Sequence, residues 1–318
     1  MRLWLPEALK RKLRALPQWS PIALHDPQRL VEIRMFISGD EFDVTRTSVV
    51  ASLRPFTLAI GLDRRLQEAL DEGVEPQLRF VDLDSGRTLA VLNLRHVRNQ
   101  SSAGAAIGLF EVRHGTQHCV RWPYRHWNRW LQNRAMRRNL DPNNFSMPPE
   151  AVQHMMIFYI CPRPVVLVSV DDGHHSNIFP MDLIGSITPN HFTLALRSTS
   201  QSVETMKSAR RVALSSIAAQ DCAIAYQLGA HHKKIKIDWD HLPFKMRRSD
   251  NYSLPCPDTA LRVRELDILG FESIGSHTFF VTHIVSERPI RDAAQLFHTS
   301  GIYQHFRSRT GRPCQPAS

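Results

Sequence analysis

Short apolar segments separated by turn residues run through most of the chain, and helical patterns interrupt them only rarely. Residues 30–38, 48–62, 77–83, 88–99 and 107–114 are rich in Val, Ile, Leu, Phe and Thr, with Gly39-Asp40, Asp84-Ser85-Gly86 and His114-Gly115 as turn signals. A second set follows at 165–170, 192–196, 212–216, 262–269 and 277–286. Residues 165–170 form a continuous apolar run, suited to a strand buried on both faces. Each set holds one helical stretch, at residues 64–72 with Gly73 as C-cap and at about 201–209. The expected class is mainly β with few helices, and for the second set a closed barrel rather than a layered parallel sheet.

The 318 residues allow two domains, and 42% hydrophobic with 22% charged residues is a globular composition. The expected division is 1–29 as an N-terminal helix and Pro-punctuated linker, 30–120 as a small β-rich domain, 121–149 as a connecting segment, and 150–318 as a second domain opened by a short helix at 150–156. No apolar run approaches the ~18 residues that span a bilayer. The first residues mix Leu with Lys and Arg around Pro6 and lack a signal-peptide pattern, so the expected location is cytoplasmic. Five cysteines without a C-x-x-C pair argue against a disulfide scaffold or zinc ribbon. The net charge of +10 suits a polyanionic partner, whether nucleic acid, nucleotide or phosphate-bearing cofactor.

Residues 121–138 interleave Arg121, Arg125, Arg129, Arg134, Arg137 and Arg138 with Trp122, Tyr124, Trp127 and Trp130, with no acid among them. Such a stretch can stack on bases and contact phosphates. The favoured expectation is a connecting helix with Trp127, Trp130 and Leu131 on its packed face and the arginines in solvent.

Several pieces of the second half resemble the flavin reductase-like FMN-binding split barrels, and they occur in that family's order. Cys161-Pro162-Arg163-Pro164-Val165-Val166 resembles its opening strand. Asp171-Asp172-Gly173, then Ser176-Asn177-Ile178-Phe179-Pro180-Met181, resemble the turn and strand that enter its flavin site. Ser186-Ile187-Thr188-Pro189, Phe192-Thr193-Leu194-Ala195-Leu196 and Ser202-Val203-Glu204-Thr205-Met206 follow. Ile274-Gly275-Ser276-His277-Thr278-Phe279 and Gly301-Ile302-Tyr303 resemble its closing elements. The resemblance covers roughly half the chain. It implies an FMN-binding oxidoreductase, NADH or NADPH as co-substrate, and a dimer with flavin at its interface.

An isoalloxazine ring needs an apolar slot with polar contacts at its edge. Phe179, Pro180, Met181 and Leu183 provide the slot, and Asn177 offers amide donors and an acceptor. Arg197, Ser198, Thr199, Ser200 and Ser202 supply a guanidinium and hydroxyls at a helix start, the chemistry of a phosphate site; simple helix capping explains one hydroxyl but not the cluster. Asp182 stands where the family usually has a small residue. It is a candidate proton carrier or contact for a cationic substrate, or else a carboxylate paired with an arginine or capping backbone. His277 is a second catalytic candidate, and Tyr303 a weaker contact.

His174-His175, His231-His232 and Asp238-Trp239-Asp240-His241 lack the spacing of a metal site, so no metal is expected. His231, His232, Lys233 and Lys234 are expected to form a polar rim for an anionic substrate. The first half also echoes the second: 52–60 resembles 186–189 plus 192–196, with Ser52 matching Ser186 and Leu58 matching Leu194. A degenerate tandem copy would build a pseudo-dimer within one chain and bind no flavin itself; the alternative is an unrelated β-domain. Three functions stand open: a general flavin reductase, a specialised flavoenzyme acting on a dedicated metabolite, and a non-catalytic nucleic-acid-binding protein using 121–138.

Overall fold

The computed structural model of the chain describes residues 15–25, 30–70, 73–102, 104–138, 147–234 and 236–317. The helix expected at the start falls largely on residues outside these. The part that is described is a strand, β1 (Ser20–Leu24), and not a linker.

The first half forms β2 (Val31–Ile37), β3 (Asp40–Asp43), β4 (Ser48–Leu53), β5 (Phe56–Gly61), helix α1 (Arg64–Leu70), β6 (Gln77–Asp82), β7 (Thr88–Ser102) and β8 (Ala105–Gln117). β2 shows the local cause: Val31, Ile33, Met35 and Ile37 are buried while Glu32, Arg34 and Phe36 between them are only partly so. Helix α1 starts where Asp63 accepts a hydrogen bond from the Leu66 N–H at 2.8 Å. The connection continues as α2 (Trp122–Arg138) and α3 (Pro149–Phe158).

The second half forms β9 (Arg163–Pro164), β10 (Val166–Asp171), β11 (Ser176–Met181), β12 (Ile184–Thr188), β13 (His191–Arg197), α4 (Ser202–Ala209), β14 (Arg211–Ser216), α5 (Cys222–Gln227), β15 (Met246–Arg248), β16 (Pro255–Pro257), β17 (Arg262–Ile274), β18 (His277–Pro289), β19 (Gln295–Thr299) and α6 (Gly301–Arg309). No helix among the described residues is long and apolar enough to cross a membrane.

Each half builds one seven-stranded antiparallel sheet. The orders are β3-β2-β6-β7-β8-β5-β4 and β11-β10-β14-β17-β18-β13-β12. Counted within its own sheet, each reads 2-1-5-6-7-4-3, with a helix between the fourth and fifth strands. The strand order is therefore the same in both halves. The equivalent hairpins β4–β5 and β12–β13 both carry a bulge, at Ala51 and at Ile187. Aligning the bulges equates Val50 with Ser186 and Leu58 with Phe192. The echo read from sequence lies in the right hairpins but two residues out of register.

The sheets meet along these hairpins. β4 packs on β12, β13 and β18, and β12 packs in turn on β5 and β8, as a local two-fold relation requires. Val49, Ala51, Ala59, Ile107 and Leu109 of the first sheet bury themselves against Ile187, Ala195, Ile274, Phe279 and Val281 of the second. At about 1.5–3 kcal/mol for each large side chain fully buried, such a seam holds the halves together firmly. Close approach needs glycine at two places. A Cβ on Gly61 would lie 2.1 Å from the Ile187 carbonyl oxygen, and one on Gly185 would lie 2.2 Å from Val49 Cγ1.

The expected boundary at residue 150 differs from the packing. Ala151, Val152, Met155, Met156 and Phe158 of α3, and Ile302, Tyr303 and Phe306 of α6, belong to the core of the first barrel. Both ends of the second domain thus close over the first. A three-stranded sheet, β1-β19-β9, joins the start, middle and end of the described chain.

Candidate active site

A cavity of about 290 Å³ opens where the second barrel meets the first. Its apolar wall comes from Phe179, Pro180, Met181 and Leu183, on β11 and the turn after it, with Ala195 and Leu196 of β13. β11 is an edge strand, so Pro180 costs the sheet no ladder bond on its open side. Leu53 of the first barrel and Met155 and Tyr159 of the linking segment complete the wall.

Arg197 and Ser200 line the same cavity at the approach to α4. Burial of the Arg197 guanidinium pulls its pKa below the usual value, which marks a cation partly stripped of water. Ser200 is 6% exposed, and its N–H donates to the Arg197 carbonyl at 2.8 Å. His277, at the start of β18, is 1% exposed; burial first, and the Arg197 charge second, lower its pKa to about 4. Its Nδ1 lies 2.9 Å from Ser276 Oγ and 3.5 Å from the Leu53 backbone nitrogen.

The other expected contacts lie elsewhere. Asn177 is buried beneath the cavity, where its Nδ2 donates to Ser202 Oγ at 3.0 Å and to the carbonyls of His231 and Lys234 at 2.8 and 2.9 Å. Asn177 and Ser202 thereby fasten the segment after α5 rather than face the cavity. Ser198 and Thr199 are exposed and do not line it. Tyr303 is fully buried in the first barrel's core, away from the cavity, because α6 packs there and not on its own barrel.

Asp182 pairs with neither an arginine nor a helix end. Its Oδ2 is 2.7 Å from His298 Nδ1, and Tyr159 also hydrogen-bonds to it. Burial opposes its ionisation, but the hydrogen bonds from His298 and Tyr159 prevail and hold the carboxyl below its usual range. On the other side of the ring, His298 Nε2 lies 2.9 Å from Tyr226 Oη. Desolvation, then the proximity of Cys222 and Asp182, raise the Tyr226 pKa to about 12, so the phenol stays protonated at neutral pH. Tyr226, His298 and Asp182 all line the cavity, with Trp19 beside the His298 ring at 6.2 Å between centroids. Trp19, Leu53, Tyr159, Tyr226 and His298 were not among the expected site residues, since nothing in their local sequence marks them.

The basic rim differs from expectation as well. His231 Nδ1 sits 3.0 Å from the Ile178 carbonyl, and Gly229 is the residue of that segment that lines the cavity. His241 pairs with Asp238 at 2.7 Å on the surface. Among the described residues no group of three or more His, Cys, Asp or Glu side chains could hold a metal.

The connecting helix α2 overturns the expected packing of its aromatics. Trp122, Trp127 and Trp130 are 67%, 41% and 49% exposed, whereas Asn128 and Gln132 are buried. The reason is specific: Asn128 Oδ1 accepts from the Leu16 N–H at 2.7 Å and Gln132 Nε2 donates to the Leu16 carbonyl at 3.2 Å. Those amides satisfy the backbone at Leu16 and turn the tryptophans outward.

Residues 158–307 match the model of the flavin reductase like domain, and the C-terminal half of the chain is a flavin reductase-like domain. Similar solved structures include the NADH:FAD oxidoreductase SgcE6 of Streptomyces globisporus C-1027, at 18% identity over 50% of this chain and 94% of that one, with a TM-score of 0.43. An FMN-binding protein from Thermus thermophilus, with bound p-hydroxybenzaldehyde, shows 20% identity over 43% of this chain and 81% of that one, with a TM-score of 0.38. The styrene monooxygenase flavin reductase of Pseudomonas putida S12 shows 14% identity over 46% and 92%, with a TM-score of 0.39. None of the curated proteins matches this chain.

Proposed function

We propose that the protein is a flavin-dependent oxidoreductase of the cytoplasm that holds one FMN in this cavity and uses NADH or NADPH as co-substrate. The carrying observation is the polarity of the cavity. It is apolar along Phe179, Pro180, Met181 and Leu183, and it ends in Arg197 and the Ser200 hydroxyl. That donor set fits a planar ring with an anionic tail. A bound flavin supplies hydride transfer through its N5 atom. The protein's part is to clamp the ring with β11 and Leu53, to neutralise the phosphate with Arg197, and to keep water from the apolar face. The first barrel then acts as the second half of a pseudo-dimer: it provides a wall and binds no flavin of its own. The test is a purified protein titrated with FMN, then mixed anaerobically with NADH and with NADPH. The reading requires saturable FMN uptake and bleaching by at least one of them; a colourless protein that takes up no FMN rejects it.

A second reading has one specific observation behind it. The outward Trp122, Trp127 and Trp130 share α2 with Arg129 and Arg134, a set suited to single-stranded nucleic acid. A labelled oligonucleotide shifted by the protein in a salt-dependent manner supports it, and the absence of any shift at low salt removes it.

A further inference from the structure

We infer that Tyr226, His298 and Asp182 form a proton relay, and that the cavity therefore reduces a polarised carbon–carbon double bond of an organic substrate, with Tyr226 as the proton donor. The inference rests on the flavin reading above.

The three side chains come from distant parts of the chain: Asp182 from the turn after β11, Tyr226 from α5 and His298 from β19. They meet in line, at 2.7 Å between Asp182 Oδ2 and His298 Nδ1 and 2.9 Å between His298 Nε2 and Tyr226 Oη. Both ring nitrogens of His298 are engaged, which fixes the orientation of the ring. The middle member is the buried one, and both ends of the relay line the cavity. His298 is 8% exposed, whereas Tyr226 is 47% exposed and lies on the cavity wall. Tyr159 holds Asp182 from the far side.

The geometry selects a class of substrate. Passing electrons to free flavin or dioxygen takes protons from water and needs no fixed acid. Adding hydride to the carbon of an enal or enone leaves an electron pair that must be protonated in place. The apolar wall of Phe179, Met181 and Leu53 suits a carbon skeleton. The balance is as follows. A bound flavin would supply the hydride for a new C–H bond at the β-carbon as the π bond breaks. Its electron pair takes the Tyr226 hydroxyl proton. The phenolate recovers a proton from solvent by way of His298 Nε2, which takes it up and passes it to Tyr226 Oη at 2.9 Å, so that the ring ends as it began with Nδ1 on the Asp182 carboxylate. The substrate gains one hydride and one proton, and the cofactor loses two electrons.

The experiment uses FMN-loaded full-length protein reduced anaerobically with dithionite, which removes any dependence on nicotinamide. Cinnamaldehyde is the probe, dioxygen is the comparison oxidant, and reoxidation is followed by flavin absorbance. In Tyr226→Phe the rate with cinnamaldehyde, relative to that with dioxygen, is expected to fall about 100-fold. A second readout needs no flavin. Nitrogen-15 NMR of the apo-protein is expected to show Nδ1–H as the neutral tautomer of His298, a preference lost in Asp182→Asn. An unchanged rate ratio in Tyr226→Phe overturns the relay while leaving the flavin reading intact. So does a wild-type protein that dioxygen reoxidises and cinnamaldehyde does not. Failure to bind FMN overturns both.

Discussion

Val49 and Gly185 occupy equivalent positions in the two barrels and touch each other across the seam. They lie where a two-fold axis would pass, so one residue's size sets the room left for the other. Gly185→Ala places a methyl group 2.2 Å from Val49 Cγ1. Overpacking of this kind costs about 1–3 kcal/mol. Denaturant unfolding should show that loss in Gly185→Ala and its substantial recovery in Gly185→Ala with Val49→Ala. Simple additivity of the two substitutions would contradict the contact.

Arg197 should discriminate between forms of the cofactor. In Arg197→Gln, FMN affinity is expected to weaken by about 10- to 100-fold, the worth of one charge-assisted hydrogen bond. Riboflavin, which lacks the phosphate, should bind the variant and the wild type alike. Fluorescence titration with both ligands checks this, and equal losses for the two would move the phosphate away from Arg197.

Leu53 tests whether the first barrel takes part in the site. Its side chain is a wall of a cavity built mostly by the other half. Leu53→Ala removes apolar surface worth about 1–2 kcal/mol on contact, so FMN should bind about 5- to 30-fold more weakly. An unchanged affinity would confine the cofactor to the second barrel.

Acid stability follows from two buried histidines. His154 and His277 each have a pKa lowered to about 4 from 6.5, chiefly by burial. Unfolding lets both take up protons between those values, so the unfolded chain binds more protons there. Their contribution is complete above about pH 6.5 and is lost as the pH falls toward 4, on the order of 3 kcal/mol for each histidine. His154→Leu should flatten the fall in stability across that window, as measured by denaturant midpoints at a series of pH values. A slope equal to that of the wild type would count against a neutral buried imidazole at this position.

How much of this was legible follows from the range of the interactions involved. β10 announces itself by Val166, Leu167, Val168 and Val170, interrupted only by Ser169 before its closing Asp171, and Asp63 and Gly73 bracket α1 by local chemistry. Phe179, Pro180, Met181, Asp182 and Leu183 are contiguous, so a single motif delivers them to the cavity together. Tyr226 and His298 lie 72 positions apart and meet only because β19 returns beside β9; no local pattern encodes that. Asn177 misled because an amide suits a ring edge as well as it suits a buried backbone clamp. The tryptophans of α2 misled for a related reason. Apolar periodicity assigns them to the core, but Asn128 and Gln132 had a more specific demand to meet at Leu16.

The pairing of β1 with β19, from Ser20 opposite Thr299 to Leu24 opposite Gln295, bears on how the molecule is made. A ribosome delivers Ser20–Leu24 long before its partner Gln295–Thr299. The strand has no sheet to join until β19 has emerged, and long-range pairing of this kind is slow to form. The first barrel shares that delay, because Ile302, Tyr303 and Phe306 fill part of its core. Synthesis stalled after the first barrel would leave that core unsealed, so neither half is a folding unit by itself.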